Sequence, residues 1–191
     1  MPKLLHSKNF LSFLIILDIF MAIAATVYDW NKYMELPWYL LLFAPICPVY
    51  PLFIAICFWY VLQKKEIPSP LLAFTLMGAI SYGIMNFIFY PLHMIYAGFT
   101  FQIVGNMLWV FVYTVQALLL VKKPLHPSML AIGLIGLYFL CKDIIDMFFY
   151  RFSYVIGDGY PMWIKVVSFV CVLVIHAGLV VWIWRGRKKS S

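Results

Sequence analysis

One apolar stretch in the C-terminal part of the chain carries three charged side chains at helical spacing. Tyr138, Lys142, Asp146 and Tyr150 recur every four residues, and Asp143 lies one position further round the same helical flank. If the stretch crosses a membrane, each central charge costs about 2.5–3.5 kcal/mol in lipid, so the stripe must face protein or water. The pattern fits an ion or substrate path. It equally fits a buried Lys142–Asp146 pair, with Asp143 held by a donor from an outer connection.

A second polar face lies on the first apolar stretch. Asp18, Ala22, Ala25 and Asp29 share one helical face, with carboxylates at two depths and small residues between them. Small residues allow a neighbouring helix to come close. By residue count Asp18 and Lys142 lie at similar membrane depths, which predicts an ion pair between the two side chains.

Amide side chains supply further polar groups in the third and fourth apolar stretches. The fourth stretch has polar or aromatic residues at alternating steps of four and three: Gln102, Asn106, Trp109, Tyr113 and Gln116. This spacing is typical of a packed helix seam, in which amides hydrogen-bond to neighbouring helices. Asn86 lies on a matching face of the third stretch, where Gly78 and Gly83 allow close approach. Lining a polar cavity is the alternative interpretation.

His93 is the histidine that best fits a metal site. It lies at the outer end of a predicted span, where Asp143 and Asp146 could approach it and hold zinc or another divalent metal. No H-x-x-x-H spacing accompanies it. His176 lies roughly 20 Å deeper, at 1.5 Å per residue, which argues against a haem held by both histidines. The sequence contains no G-x-S-x-G motif, so a serine hydrolase is disfavoured.

The elements that position these residues are apolar stretches long enough to span a membrane. The mean hydropathy is +0.96, with 65% hydrophobic and 11% charged residues, which excludes a water-soluble fold. A span needs about 20 apolar residues. The sequence therefore predicts an all-α integral membrane protein, with residues 1–191 forming one six-transmembrane-helix bundle. The predicted spans are residues 10–28, 38–62, 70–90, 97–121, 128–150 and 162–184.

Basic residues orient the predicted bundle. Ten of them flank the spans on one side, and three flank them on the other. The ten are Lys3, Lys8, Lys64, Lys65, Lys122, Lys123, Arg185, Arg187, Lys188 and Lys189; the three are Lys32, Arg151 and Lys165. The positive-inside rule then predicts that both termini are on the cytoplasmic side of the plasma membrane. The net charge is +7, and the one-sided distribution of the basic residues favours contact with membrane lipids rather than nucleic acid.

The second predicted span contains Pro45, Pro48 and Pro51. Each proline lacks a backbone donor and clashes with the preceding helical turn, so the second helix is expected to be kinked or broken. Carbonyl groups freed in this way are tolerated at membrane depth when they are buried in protein or face a wet cavity.

Several short motifs resemble a family of small prokaryotic membrane proteins, domain of unknown function 1405. They occur across most of the chain: Asp29-Trp30, Pro37-Trp38-Tyr39, Phe43 to Pro48, Tyr82-Gly83 with Asn86, His93-Met94, Lys142-Asp143 with Asp146, and Tyr160-Pro161. The chain differs at Ile46-Cys47, where that family often has an acidic residue between the prolines. The resemblance implies the multi-span fold and an outward-facing polar cluster, and it brings no activity with it.

Taken together, these features predict an outward-facing intramembrane polar pocket that binds or moves a small solute or a lipophilic ligand. The candidate ligand-binding residues are Asp18, Asp29, Asn86, Gln102, Asn106, Lys142, Asp143 and Asp146. One alternative is a metal-assisted intramembrane enzyme that uses His93, Asp143 and Asp146. Another is an accessory or assembly subunit without chemistry. The sequence favours binding over catalysis and leaves the oligomeric state open.

Overall fold

The described part of the chain consists of α-helices and short connections, without strands. A computed structural model describes residues 7–41, 43, 46–122, 125–145 and 161–188. The helices are α1 (Lys8–Tyr28), α2 (Trp30–Met34), α3 (Ile46–Leu62), α4 (Ser69–Ala97), α5 (Phe101–Leu120), α6 (Met129–Ile144) and α7 (Met162–Lys188). A single 3₁₀ turn, Trp38–Leu40, precedes α3. The predicted all-α fold class is confirmed.

Four helices within the described residues are long and apolar enough to cross a membrane: Lys8–Tyr28, Ser69–Leu92, Ile103–Leu120 and Met162–Gly186. They coincide with the predicted spans 10–28, 70–90, 97–121 and 162–184. The other two predicted spans contain shorter helices, because α3 has 17 residues and α6 has 16. Residues 146–150, which complete the predicted span 128–150, lie outside the described residues. The architecture is that of an α-helical membrane protein.

The proline-rich second span begins without a regular α-helix. Its first residues form the 3₁₀ turn, and α3 starts only at Ile46. Pro48 falls in the first turn of α3, where the missing N–H would have no helical partner in any case. From there α3 is continuous through Pro51 to Leu62. Pro45 lies outside the described residues, so the kink or break expected in this span stays a prediction.

Side-chain caps fix where several helices begin. The hydroxyl groups of Ser7, Thr100 and Ser128 accept hydrogen bonds from backbone N–H groups three residues ahead, at 3.1–3.3 Å. Such caps satisfy donors that have no partner inside the first helical turn. At the other end of α4, Gly98 adopts a positive φ of 87°, a conformation that glycine reaches without strain. The caps at Thr100 and Ser128 set the first residues of α5 and α6, the helices that carry Gln116 and Lys142.

Helix α4 is central to the packing, with contacts to α3, α5, α6 and α7, whereas α1 packs mainly on α3. Two glycines of α4 allow its close contacts, as the sequence predicts. A Cβ atom on Gly78 would lie 1.9 Å from the ring of Tyr50, and one on Gly83 would lie 2.4 Å from the Thr114 hydroxyl. The Thr114 hydroxyl lies 2.7 Å from the Val110 carbonyl of α5 and 3.2 Å from the Ala79 carbonyl of α4, and its one hydrogen can be donated to either.

Replacing Gly78 with alanine should therefore destabilise the bundle. Tyr50 is only 1% exposed and is enclosed by other rings, so it cannot move away from a new methyl group without repacking α3. We expect Gly78→Ala to lower the free energy of unfolding by about 1–3 kcal/mol, the usual cost of overpacking. Thermal unfolding in detergent measures this change. Gly133→Ala is the matched control, because a Cβ on Gly133 meets nothing within 4 Å; equal melting temperatures for the two variants would contradict the prediction.

Candidate functional site

A cluster of aromatic rings occupies the centre of the bundle. We call Tyr50, Phe74, Tyr82, Tyr113 and Phe139 the aromatic core; they come from α3, α4, α5 and α6. The Tyr50 ring centroid lies 5.3 Å from that of Tyr82, 6.3 Å from Phe74, 6.4 Å from Phe139 and 6.5 Å from Tyr113. These distances are typical of favourable aromatic pairs. The aromatic core surrounds Tyr50 and separates two sets of buried polar side chains.

Lys142 is buried against the aromatic core. Its side chain is 1% exposed, and its Nζ atom lies 4.7 Å from the centroid of the Tyr82 ring. An ammonium at this distance from a ring face is attracted by the negative face of the π-system, and the attraction is stronger where water is excluded. The prediction that Lys142 faces protein rather than lipid is confirmed. Asp146, its predicted i,i+4 partner, lies outside the described residues.

Asp143 forms a buried pair with His176 of α7. The Nδ1 atom of His176 lies 2.6 Å from Oδ2 of Asp143, and the two side chains are 7% and 5% exposed. The imidazole also packs on Phe139, at 5.0 Å between ring centroids. Its other nitrogen, Nε2, is buried and has no hydrogen-bond partner among the described residues. The pair is thus a carboxylate that orients an imidazole, with the second ring nitrogen directed into the bundle.

This pairing was not predicted from the sequence, which assigned Asp143 to a donor in an outer connection. His176 was considered only as a haem ligand and rejected for its depth relative to His93. A count from the predicted cytoplasmic ends places the two side chains at similar depth, but equal depth alone does not identify a partner. Asp143 lies 14 residues after the start of α6, and His176 lies 12 residues before the end of α7. At 1.5 Å per residue these depths differ by only about 3 Å.

Asp18 is the most deeply buried carboxylate in the described residues, with 0% exposure. The amide side chain of Gln116, from α5, is its neighbour. The Gln116 amide lies close enough to Asp18 to interact with its carboxyl group, but no contact of either Asp18 oxygen with the described residues has the distance and angles of a well-formed hydrogen bond. The predicted Asp18–Lys142 ion pair is therefore wrong. Helix α1 packs mainly on α3, so equal depth does not bring Asp18 to α6.

The sequence predicts two further inward-facing polar faces, one on α1 and one on α5. Several residues of these faces are buried in the structure. Ala22 and Ala25 are buried beside Asp18 on α1, and Tyr113 and Gln116 are buried on α5. This confirms the inward orientation of these predicted faces.

The remaining candidates lie towards the predicted outer side. Asp29, Asn86 and Asn106 are half-buried. Gln102 and His93 belong to α5 and α4, but their side chains lie outside the description, as does the whole of Asp146. Whether these six residues form one site stays a prediction.

A metal site cannot be assembled from the side chains that the structure describes. Among them, no group of three or more His, Cys, Asp or Glu residues could hold a metal ion. Of the predicted ligands His93, Asp143 and Asp146, only Asp143 has a described side chain, and its Oδ2 contacts His176. Zinc binding at His93 stays a prediction from the sequence.

Comparisons with known proteins give no relative. No family model, curated protein or solved structure significantly matches the chain. The resemblance to the domain of unknown function 1405 family therefore stays a hypothesis based on its short motifs. Any function has to be argued from the buried polar groups themselves.

The short Asp143–His176 contact predicts strong energetic coupling between the two side chains. Removing one member of a buried hydrogen-bonded pair leaves the other without its partner and costs about 1–3 kcal/mol, whereas replacing both by apolar groups of similar shape costs much less. We expect Asp143→Leu and His176→Phe each to destabilise the protein, and the double variant to be less destabilised than the sum. Free energies of unfolding in mixed micelles measure the coupling.

Cys171→Ala combined with Asp143→Leu provides the control for this cycle. Cys171 lies on α7 like His176, but it packs against a separate cluster around Phe89 and Ile103. Its change should add to that of Asp143→Leu within about 0.5 kcal/mol. If the changes in unfolding free energy of His176→Phe and Asp143→Leu also add within this margin, the contact contributes no coupling.

Proposed function

We propose that this chain is a six-span helical protein of the cytoplasmic membrane, with both termini inside, that binds or moves a small solute or a lipophilic ligand. The four long apolar helices support a membrane-embedded protein. The ten basic residues on one side of the predicted spans, against three on the other, support the orientation. The ligand site is proposed at the buried polar groups of α1 and α5.

The observation that carries this proposal is the environment of Asp18. Its carboxyl group is fully buried, and its nearest polar neighbour, the Gln116 amide, does not make a well-formed hydrogen bond to either oxygen. A buried polar group without a partner costs about 1–3 kcal/mol, and a charged one costs more. Ionisable residues of this kind inside membrane proteins mark substrate and ion paths. A bound ligand would remove the cost by supplying the missing donors.

Neighbouring polar atoms define the chemistry of such a ligand. The Gln116 amide offers two donors and an acceptor beside Asp18, and Nε1 of Trp109 offers another donor two helical turns away on α5. Within the described residues none of these three side chains makes a hydrogen bond of good geometry through the named atoms. A ligand that is complementary to these side chains has N–H or O–H donors for the Asp18 carboxyl group and an acceptor for the Gln116 amide. Amines and hydroxyl-rich head groups have this chemistry.

On this proposal the ligand reaches Asp18 from the outer side. Asp29 lies eleven residues further along α1, about 16 Å at 1.5 Å per residue, and it is half-buried. Asn86 and Asn106 are also half-buried, on the neighbouring helices α4 and α5. These three side chains would line the outer part of the path. No specific observation favours the two alternatives, a metal-assisted enzyme or an accessory subunit.

Asp18→Asn should abolish ligand binding. Methylammonium chloride is the probe for a small amine, and native mass spectrometry of the protein purified in mild detergent tests for a retained lipophilic ligand. A ligand at 100 times its Kd stabilises the folded state by about 2.7 kcal/mol, which raises the melting temperature measurably. We expect a methylammonium-dependent rise or a retained mass in the wild type, and neither in Asp18→Asn.

Glu66→Gln is the matched control, because it removes one carboxylate from an exposed position on a cytoplasmic connection. It should retain whichever signal the wild type shows. Tetraethylammonium chloride at equal concentration controls for ionic strength. The proposal is wrong if the wild type shows neither signal, or if Asp18→Asn keeps the signal that the wild type shows.

A further inference from the structure

Helix α3 ends in a turn that brings one lysine back onto the helix. Lys64 adopts a positive φ of 55°, and its N–H group donates to the Val61 carbonyl at 3.0 Å. The N–H group of Lys65 donates to the Tyr60 carbonyl at 2.9 Å. These two hydrogen bonds form a Schellman motif, in which a left-handed residue reverses the chain at the C-terminus of a helix. The reversal places the ammonium of Lys65 over the Trp59 ring, 5.8 Å from the ring centroid.

The Trp59 ring belongs to an exposed apolar face of α3. Leu52 and Trp59 are each 45% exposed, and Ile56 between them is half-buried. At steps of four and three residues these side chains lie one above the other on the helix. In the proposed membrane topology this face contacts acyl chains, and Trp59 lies near the interface, where indole rings are enriched. A cation held over this ring is therefore at the depth of the lipid head groups.

Positive charge predominates around this end of α3. The side chains of Lys64 and Lys65 are both exposed. Glu66, which follows them, is the only acidic residue of the predicted inner connections and tails. Three more basic residues are exposed on the same predicted side: Lys8, Lys122 and Arg185. A ligand that is drawn to this end of the helix carries negative charge.

We infer that the C-terminal end of α3 is a binding site for an anionic phospholipid. Lys64 and Lys65 contact the phosphate, and the face of Leu52, Ile56 and Trp59 contacts an acyl chain. A phosphate oxygen accepts charge-assisted hydrogen bonds from lysine ammonium groups. A lipid supplies the anion and the apolar chain in one molecule, whereas free phosphate would meet only the lysines. A choline head group would bring its own cation and cancel the attraction.

This inference rests on the proposed membrane topology and not on the ligand site at Asp18. Native mass spectrometry of the protein in a neutral detergent tests it, by titration with dioleoylphosphatidylglycerol. Dioleoylphosphatidylcholine has the same acyl chains and a zwitterionic head group, so it should bind more weakly. Lys65→Gln should weaken binding of the phosphatidylglycerol about fivefold, the factor that corresponds to about 1 kcal/mol for one basic residue near a membrane surface. Trp59→Leu keeps an apolar side chain but removes the ring under the ammonium, so it should also weaken binding.

Arg185→Gln is the matched control. It removes one exposed cation from the same predicted side, on α7, which packs mainly on α4 and α6. Both Arg185→Gln and Asp18→Asn should leave the affinity for phosphatidylglycerol unchanged, and the second separates this result from the fate of the solute site.

Three outcomes would overturn the inference. Equal weakening by Arg185→Gln and Lys65→Gln would show a diffuse attraction to the whole basic side. Equal affinities for the two lipids would show that the phosphate charge is not recognised. Displacement of the lipid by sodium glycerophosphate, but not by sodium chloride at the same ionic strength, would show a site for free phosphate instead.

Discussion

A charged side chain that is buried away from water needs a partner, and this constraint bears on the arrangement of α6. Lys142 and Asp143 are consecutive, so on a helix with 3.6 residues per turn their side chains point about 100° apart. Lys142 contacts the Tyr82 ring of α4, and Asp143 pairs with His176 of α7. Rotation of α6 about its axis would withdraw at least one charge from its partner. The two contacts together thus fix the rotation of α6 and hold it against both neighbours.

The aromatic core depends on the absence of a side chain at Gly78. The Tyr50 ring fills the space where a Cβ on Gly78 would lie, and from there it reaches Tyr82, Tyr113 and Phe139. Packed rings exclude water from the centre of the bundle. Exclusion of water strengthens the hydrogen bond between Asp143 and His176, and it also increases the cost of leaving Asp18 without a partner. The same core therefore strengthens one polar contact and raises the cost of the other buried carboxyl group.

Transfer energies predicted which residues face inward, because the cost of exposing a charge to lipid is independent of the detailed fold. Lys142, Asp143 and the Asp18–Ala22–Ala25 face are buried for this reason, and Gly78 and Gly83 make the close contacts that their size allows. Partner identities were not predictable in the same way. Hydropathy locates a span boundary within about 2–4 residues, or roughly 3–6 Å of depth, which exceeds the reach of a hydrogen bond. Depth also says nothing about adjacency, so Asp18 and Lys142 were paired although α1 packs mainly on α3.

The two buried carboxylates illustrate how environment separates the roles of identical groups. Asp143 pairs with the imidazole of His176, whereas Asp18 lies beside the neutral amide of Gln116. The imidazole gives Asp143 a partner at 2.6 Å, whereas neither Asp18 oxygen makes a well-formed hydrogen bond within the described residues. Any communication between them through the described ring contacts must involve Tyr50, since its ring touches both Tyr113, one turn from Gln116 on α5, and Phe139, which packs on His176. Binding at Asp18 that displaced Tyr113 would therefore shift the surface on which the His176 imidazole rests.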